Sequence, residues 1–211
     1  MKKHFVMGFL RQVKLFVTNE WLSFKGVLDS ETCNKIIDQS NGNFISPNVN
    51  RRSQITEKEI LDGKLQYDYG EDAFLRKGEV CWINEKWIND IVWKYMFEAN
   101  ERSGWKFDIA GIAIPQLSKY KKGDFYSLHN DGAGDNNSET HDGMVRKLSM
   151  SVLLNEGYEG GEFMFENDYV PDIGGIGSIL IFPCCKPHRV AEVTKGTRYS
   201  LVVWFVGPPF R

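Results

Sequence analysis

The sequence predicts a mainly β domain of the α+β class, a sandwich or a barrel, with an amino-terminal supporting layer of helices. Its 211 residues are 42% hydrophobic and 13% aromatic, which is enough for a sizeable core. One strong helical pattern precedes Trp105, and short apolar runs bounded by glycine and proline follow it. We therefore expect one structural domain, in which a support region, residues 1–104, packs on a β core, residues 105–211.

The support region begins with a predicted strand and a predicted short helix. Residues Glu20–Leu28 alternate between apolar and polar well enough for a strand. Asp29 or Ser30 can cap the helix that comes next. The apolar side of this helix is formed by Cys33, Ile36 and Ile37. The polar stretch after it, interrupted by glycine and asparagine, predicts loops and short strands.

A second, stronger helix is predicted between Asn84, which can cap it, and Gly104, which can end it. Apolar residues recur there at helical spacing. They are Trp87, Ile88, Ile91, Val92, Tyr95 and Met96. We interpret this stripe as the face that packs against a sheet, rather than as a cofactor site.

The β core is predicted from seven strand-like runs with no helical periodicity between them. Such a series is typical of a sandwich or a barrel. The glycines at 160, 161 and 177 are interpreted as turn residues. The seven runs are FDIAGIAIPQLSKY, FYSLHND, KLSMSVLLNE, GGEFMFE, GSILIFP, HRVAEV and RYSLVVWFV.

Charge and hydropathy exclude several classes of partner. The formal net charge is -2 and both signs are interspersed, so no nucleic-acid partner is expected. The apolar run from Phe5 to Leu10 is too short for a signal peptide, and Arg11 and Lys14 interrupt the apolar residues after it. No apolar stretch approaches the ~18–20 residues of a membrane span. We expect a cytoplasmic protein with no membrane partner, and its oligomeric state stays open.

A histidine and an aspartate two residues apart suggest a metal site. In a strand from Phe125 to Asn130, His129 and Asp131 would project side by side, as metal ligands or as a hydrogen-bonded pair. Two histidines and one carboxylate form the ligand pattern of non-haem Fe(II) oxygenases. The second histidine is His4, His141 or His188, and the rigid position of His188 at the start of a strand favours it. The alternative for His188 is a hydrogen bond to a backbone carbonyl.

Arg198 is the candidate anion-binding residue. In a strand Arg198–Phe205, it shares one face with Ser200, Val202 and Trp204, and the residues between them form the other face. A guanidinium among apolar neighbours needs an anionic partner, because an unpaired buried charge is costly. Its position ten residues after His188 favours a bound diacid. The alternative is a salt bridge to one of the 28 acidic residues of the chain.

Together these motifs resemble the Fe(II)/2-oxoglutarate-dependent dioxygenases, and within them the prolyl 4-hydroxylase group. Three segments carry the resemblance in order, KYKKGDFYSLHND, LSMSVLLNEGYEGGEFMF and HRVAEVTKGTRYSLVVWF. It is strong over Trp105–Val206 and loose in the amino-terminal half. It implies a double-stranded β-helix, or jelly roll, with iron at its open end.

The resemblance also implies a set of site residues and cofactors. Iron would be held by His129, Asp131 and His188, and the distal carboxylate of 2-oxoglutarate by Arg198. Further contacts to 2-oxoglutarate are expected from Tyr120, Ser200 and Tyr126. Fe(II), 2-oxoglutarate and O2 are the implied reactants, with ascorbate supporting activity. The chain departs from some relatives where Leu153 replaces a tyrosine that bonds the distal carboxylate, which makes Ser200 or a water the expected substitute.

The loop Gly132–Arg146 is predicted to be a lid over the primary substrate, with Gly132, Asn136 and His141 as its candidate contact residues. It is long, polar and joined directly to Asp131. A solvated connection between strands is the alternative.

The implied activity is hydroxylation of a C–H bond, with release of succinate and CO2. A prolyl residue of a peptide or protein is the expected substrate. A free amino acid or another small molecule is the alternative. A metal-dependent cupin enzyme that does not use 2-oxoglutarate, or a non-catalytic jelly-roll binding module, would share the architecture but would not need Arg198.

Overall fold

The computed structural model describes residues 19–47, 75–132 and 143–210. Helix α1 spans Ser30–Asp38 and helix α2 spans Lys86–Arg102. The strands of the described segments are β1 Leu22–Phe24, β2 Arg76–Lys77, β3 Glu79–Trp82, β4 Gly111–Ile112, β5 Gln116–Lys121, β6 Phe125–His129, β7 Val145–Leu153, β8 Glu159–Gly160, β9 Phe163–Phe165, β10 Ile179–Pro183, β11 His188–Val190, β12 Val193–Lys195 and β13 Thr197–Gly207.

The strands form a large and a small antiparallel sheet, with a separate pair. The large sheet has the order β1-β10-β7-β13-β5-β3, and β4 pairs with β13 outside this path. The small sheet has the order β2-β6-β11-β9, and β12 pairs with β8. Each of the seven predicted runs contains at least one strand. The mainly β architecture with a supporting helical layer, the double-stranded β-helix, is confirmed.

Helix α2 provides the support for the large sheet. Ile88, Val92 and Met96 are fully buried in the main core with residues of β5, β7, β10 and β13, so the apolar stripe is core as predicted. Gly104 follows the helix at φ +71°, which suits its role in ending it. The prediction of Asn84 as the cap is wrong, because the helix begins one residue later and Glu85 holds the cap position without a side-chain hydrogen bond. Within the described part of the chain, no helix is long and apolar enough to cross a membrane.

The region before α1 differs from the prediction in length. The Oδ1 atom of Asp29 accepts a hydrogen bond from Thr32 N at 2.8 Å, so the predicted cap is present. The predicted strand Glu20–Leu28 is too long, because only β1 is extended. The chain turns at Gly26, with φ +57°, and the amides of Val27 and Leu28 donate to Gly177 O. This turn ties α1 to the strand β10 beyond Gly177.

We expect Gly177→Ala to lower the free energy of unfolding by about 2–4 kcal/mol. Gly177 has φ +75°, and a Cβ there would collide with the carbonyl oxygen of Leu28. Gly26→Ala is the matched control, because Gly26 has φ +57° but no atom within 4 Å of the added Cβ. Its cost should be limited to the conformational strain of about 1 kcal/mol. Urea denaturation of both variants measures the difference, and equal losses would contradict the role of the close contact.

Candidate metal centre

The two sheet histidines face each other because they pair directly across β6 and β11. His188, the first residue of β11, is the direct cross-strand partner of His129, the last residue of β6. Asp131 lies beyond the end of β6, and so strand alternation alone does not position it. Its amide donates to Cys184 O at 3.0 Å, which holds it against the turn after β10. The three side chains offer ligand atoms that all lie within 4.8 Å of one another.

The hydrogen bonds of the imidazole rings leave one nitrogen of each free for a metal. The Nδ1 atom of His129 lies 2.7 Å from Ser127 O, and that of His188 lies 3.0 Å from Lys186 O. A carbonyl oxygen only accepts, so each Nδ1 carries the proton and each Nε2 presents a lone pair. The Nε2 atoms lie 3.7 Å and 3.4 Å from the carboxylate oxygens of Asp131. The backbone hydrogen bond expected as the alternative for His188 is therefore present on Nδ1, while Nε2 is left for a ligand, and the donor set fits a divalent metal ion.

Burial and neighbouring charges shift the pKa values of His129 and Asp131 toward the forms that bind a metal. Burial, followed by the neighbouring His188, lowers the pKa of His129 to about 4, although Asp131 opposes the shift. Burial alone would raise the pKa of Asp131. His188 and His129 outweigh it and hold the pKa below its usual value, helped by Ser149 and Trp204. Ser149 Oγ and Trp204 Nε1 make no hydrogen bond of ordinary geometry with described residues, so they act on the carboxylate at longer range.

A cavity beside the triad contains the remaining predicted site residues. It is lined by Arg76, Gln116, Tyr120, Tyr126, His129, Asp131, Met150, Ser151, Phe163, Phe182, His188, Val190, Arg198, Ser200, Val202 and Trp204. The face of β13 predicted from alternation is confirmed, because its residues 198, 200, 202 and 204 line the cavity. The opposite face, with Leu201, Val203 and Phe205, lies in the main core.

Arg198 is buried in this cavity, and no described residue offers it a carboxylate. Its exposed fraction is 2%, and its Nη1 donates to Ser200 Oγ at 2.9 Å. Among the described residues no acidic side chain forms an ion pair with it, so the salt-bridge alternative finds no support there. A buried guanidinium without a counter-ion is costly unless a ligand supplies the anion.

The two tyrosines flank the cavity. Tyr120 pairs directly with Arg198 across β5 and β13, and the guanidinium carbon lies 5.9 Å from its ring centre. The Tyr126 ring stacks on His129, with centroids 3.5 Å apart. Burial raises the pKa of Tyr126 to about 12, so its phenol stays a neutral hydrogen-bond donor. Leu153 lines a second pocket beside Arg198, together with Tyr158 and Gly161, rather than this cavity.

Two arginines of the site were missed in the sequence. Arg76 on β2 lines the cavity, and its Nη2 donates to Ser118 Oγ at 3.2 Å. Arg146 lies over the Trp204 ring at 4.1 Å, and its Nη1 donates to Asp131 O at 3.0 Å. The prediction of a loop that extends to Arg146 is wrong, because β7 already begins at Val145. The position of Arg146 next to the apolar run of β7 was the signal in the sequence that could have indicated that it belongs to this strand.

The predicted lid lies mostly outside the described residues. Gly132 is described, and a Cβ there would lie 3.3 Å from the Arg146 Cβ and 3.5 Å from the Cys184 Sγ. Asn136 and His141 fall in the segment 133–142, outside the described residues. The lid stays a prediction.

Comparison with known proteins finds a family match for part of the chain. Residues 115–206, fewer than half of the 211, match the family model described as the 2OG-Fe(II) oxygenase superfamily. This segment is similar to that superfamily. The matched segment contains all seven residues predicted to bind metal or cosubstrate. The superfamily implies Fe(II), 2-oxoglutarate and O2, and the triad and Arg198 fit the first two.

Curated relatives of this segment are named as hydroxylases. A PKHD-type hydroxylase of Shewanella oneidensis is 36% identical over 95 residues, which cover 43% of this chain and 41% of the relative. One from Psychrobacter sp. is 32% identical over 97 residues, 44% of this chain and 38% of the relative. The chain thus spans about two fifths of the length of these relatives.

Solved structures support the jelly-roll fold. A prolyl-4-hydroxylase of Pseudomonas putida superposes with a TM-score of 0.60 at 18% identity, covering 89% of this chain and 92% of that one. A viral collagen prolyl hydroxylase from Paramecium Bursaria Chlorella virus-1, in complex with 2OG, also has a TM-score of 0.60 and 18% identity. The aligned part covers 90% of this chain and 97% of the viral one. At 18% identity, the structural similarity shows the fold alone.

Proposed function

We propose that this chain is an Fe(II)- and 2-oxoglutarate-dependent dioxygenase that hydroxylates a prolyl residue of a peptide or protein, with release of succinate and CO2. The observation that carries the proposal is Arg198, a buried guanidinium without a described counter-ion, in the same cavity as a His-Asp-His cluster. The names of the PKHD-type relatives and of the prolyl hydroxylases with the same fold support the reaction and the substrate.

Each site residue has a defined task in this proposal. His129 and His188 would hold Fe(II) through their Nε2 atoms, and Asp131 through a carboxylate oxygen. Arg198 would bind the distal carboxylate of 2-oxoglutarate, because its fork of donors matches a carboxylate. When bound, iron and 2-oxoglutarate supply the oxidation of a C–H bond by O2.

The apolar lining of the cavity would exclude water from the reacting centre. The Phe163 ring stacks on His188 at 5.3 Å, and the Phe182 ring meets the same imidazole edge-on at 4.8 Å. These two rings also restrict the orientation of His188, whose Nδ1 is fixed by Lys186 O. The imidazole is therefore held in place before a metal arrives.

Succinate and hydroxylated product test the proposal separately. The protein is incubated with Fe(II), ascorbate, 2-oxoglutarate and prolyl peptides, and succinate and peptide mass are both measured. We expect succinate and a peptide heavier by one oxygen atom, each dependent on iron and 2-oxoglutarate. Absence of succinate under every condition would contradict the reaction. Succinate with hydroxylation of free proline alone would contradict the peptide substrate.

We expect Ser200→Ala to raise the KM for 2-oxoglutarate about 3–10-fold, which corresponds to the loss of one hydrogen bond. Ser200 Oγ accepts from Arg198 Nη1 and so fixes the direction of the guanidinium. Iron affinity should not change. Ser103→Ala is the control, because Ser103 is equally buried but its hydroxyl has no described partner. An unchanged KM in Ser200→Ala would show that Arg198 needs no such support.

A further inference from the structure

The arginines of the described segments divide into two groups by their partners. Arg102 pairs with Glu98 and Arg189 pairs with Asp168, each at 2.7 Å and each on the surface. The other three, Arg76, Arg146 and Arg198, surround the candidate site, and within the described segments none of them forms an ion pair. Because a guanidinium away from bulk water is stabilised by an anion, the absence of partners at one place indicates a site built for anions.

Arg76 faces the cavity from the small sheet. It is the cross-strand partner of Tyr126, and its guanidinium carbon lies 4.5 Å from the centre of the Tyr126 ring. The contact to Ser118 Oγ uses Nη2, while its Nε is buried and without a described partner. Arg76 therefore has donors left for a ligand in the cavity.

Arg146 approaches the same place from the large sheet. Its guanidinium stacks on Trp204, which lines the cavity, and Nη1 is bonded to Asp131 O. Burial lowers the pKa of Arg146, and the charge of Asp131 opposes that effect. Its Nε also lacks a described partner. Arg76 thus stacks on Tyr126 and Arg146 stacks on Trp204, and both of these rings line the cavity. The two guanidiniums approach the cavity from its two sheets.

The charges of the described residues of the loaded site do not balance without a further anion. Fe(II) and the 2-oxoglutarate dianion carry no net charge together, and the carboxylate of Asp131 offsets one of the three guanidiniums of Arg76, Arg146 and Arg198. Two positive charges remain, with Arg76 lining the cavity and Arg146 stacked on Trp204 beside it. They favour an anionic occupant.

We propose that Arg76 and Arg146 select a primary substrate that carries a carboxylate close to the C–H bond to be oxidised. The inference rests on the proposed function, and it names the chemical class of that substrate. The carboxylate can be an acidic side chain next to the hydroxylated residue of a peptide, or the α-carboxylate of a free amino acid. Both present the same group to the two guanidiniums, with Tyr126 as a further donor.

Matched acid and amide ligands test this proposal by binding, without turnover. The probes are short prolyl peptides with Glu or Gln on either side of the proline, and free L-proline against L-prolinamide. Each is titrated into the protein loaded with Fe(II) and 2-oxoglutarate in the absence of oxygen. We expect the acid of at least one pair to bind about tenfold more tightly than its amide. The pair that shows the preference identifies the source of the carboxylate.

Variants assign the preference to the two arginines. Arg76→Gln and Arg146→Gln should each reduce the acid-to-amide ratio about threefold or more, whereas Arg76→Lys and Arg146→Lys, which keep the charge, should retain most of it. Arg102→Gln is the control, because Arg102 is ion-paired on helix α2 away from the cavity. Its ratio should equal that of the unmodified protein.

Two results would overturn the inference. One is equal binding of acid and amide in every pair, including no detectable binding of either. The other is a preference that survives both glutamine variants, which would assign it to other residues. Failure of the proposed function can be distinguished from failure of this inference. The proposed function is tested by the succinate formed from 2-oxoglutarate, whereas the inference is tested by the acid-to-amide binding ratios.

Discussion

Asp131→Ala is expected to reduce the affinity for Fe(II) by about 100-fold or more and to abolish succinate formation. Asp131 supplies the charged ligand of the triad, and its carboxylate is the one acidic group that the described structure places at the two imidazoles. Titration of Fe(II) without oxygen, followed by calorimetry, measures the affinity. Circular dichroism checks the fold.

The fold should survive loss of this carboxylate. His129 and His188 are fixed by bonds from Nδ1 to backbone carbonyls, which do not involve Asp131. The position of residue 131 is held by its own amide on Cys184 O. Unfolding of Asp131→Ala in the absence of metal would therefore contradict its assignment as a ligand held in place by the backbone.

His129→Ala and His188→Ala should have the same effect on iron, whereas His141→Ala should retain iron binding. Each of the three variants removes one imidazole, so differences in iron affinity between them depend on the position of the histidine. Full iron affinity in either of the first two would remove that histidine from the triad. Loss of iron binding in His141→Ala would show that the loop, rather than one of the strands, supplies a ligand.

The strands and their faces could be predicted because they depend on the pattern of apolar and polar residues within each strand. Alternation along β13 placed Arg198, Ser200 and Trp204 on one face, and the structure has all three in the cavity. The strand start at His188 was likewise visible from the proline before it. The local pattern was enough wherever the position of a side chain depended on a single strand.

Positions that depend on pairing between distant strands could not be predicted from local pattern. Arg76 lies in a two-residue strand that follows a polar stretch, and nothing nearby indicates that it pairs with β6 at Tyr126. Asp131 was expected from alternation to continue β6, but a backbone contact to Cys184 holds it instead. Alternation left Asp131 either as a metal ligand or as a hydrogen-bond partner of His129, and the resemblance to the oxygenases favoured the metal ligand.

Helix ends and loop ends were the least predictable because neighbouring residues are chemically similar there. Asn84 has the better capping side chain, yet the helix begins after Glu85, whose side chain makes no capping bond. Ile88 and Val92 of its first two turns are buried in the main core. In the same way, β7 extends back to Val145 because Val206 and Gly207 of β13 offer backbone partners there.

Arg198→Ala is expected to raise the KM for 2-oxoglutarate by about 30–1000-fold, which corresponds to the loss of about 2–4 kcal/mol of charge-assisted bonding. Iron affinity should stay within about threefold, because the guanidinium contacts Ser200 and none of the triad. Arg189→Ala is the matched control. Arg189 follows His188 directly, but its side chain pairs with Asp168 outside the cavity. An equal loss of affinity for iron and for 2-oxoglutarate would contradict the assignment of Arg198 to the distal carboxylate.

Arg198→Met separates a ligand-binding arginine from a structural one. Methionine has a similar length and no charge, so it fills the space of a guanidinium that is 2% exposed and has no described counter-ion. If Arg198 serves a ligand, its burial destabilises the free protein, and Arg198→Met should leave the free energy of unfolding unchanged or raise it while 2-oxoglutarate binding is lost. A structural arginine with an anionic partner of its own would behave in the opposite way. Breaking such a buried pair costs about 3–5 kcal/mol, so a loss of that size in urea denaturation of metal-free protein would overturn the assignment.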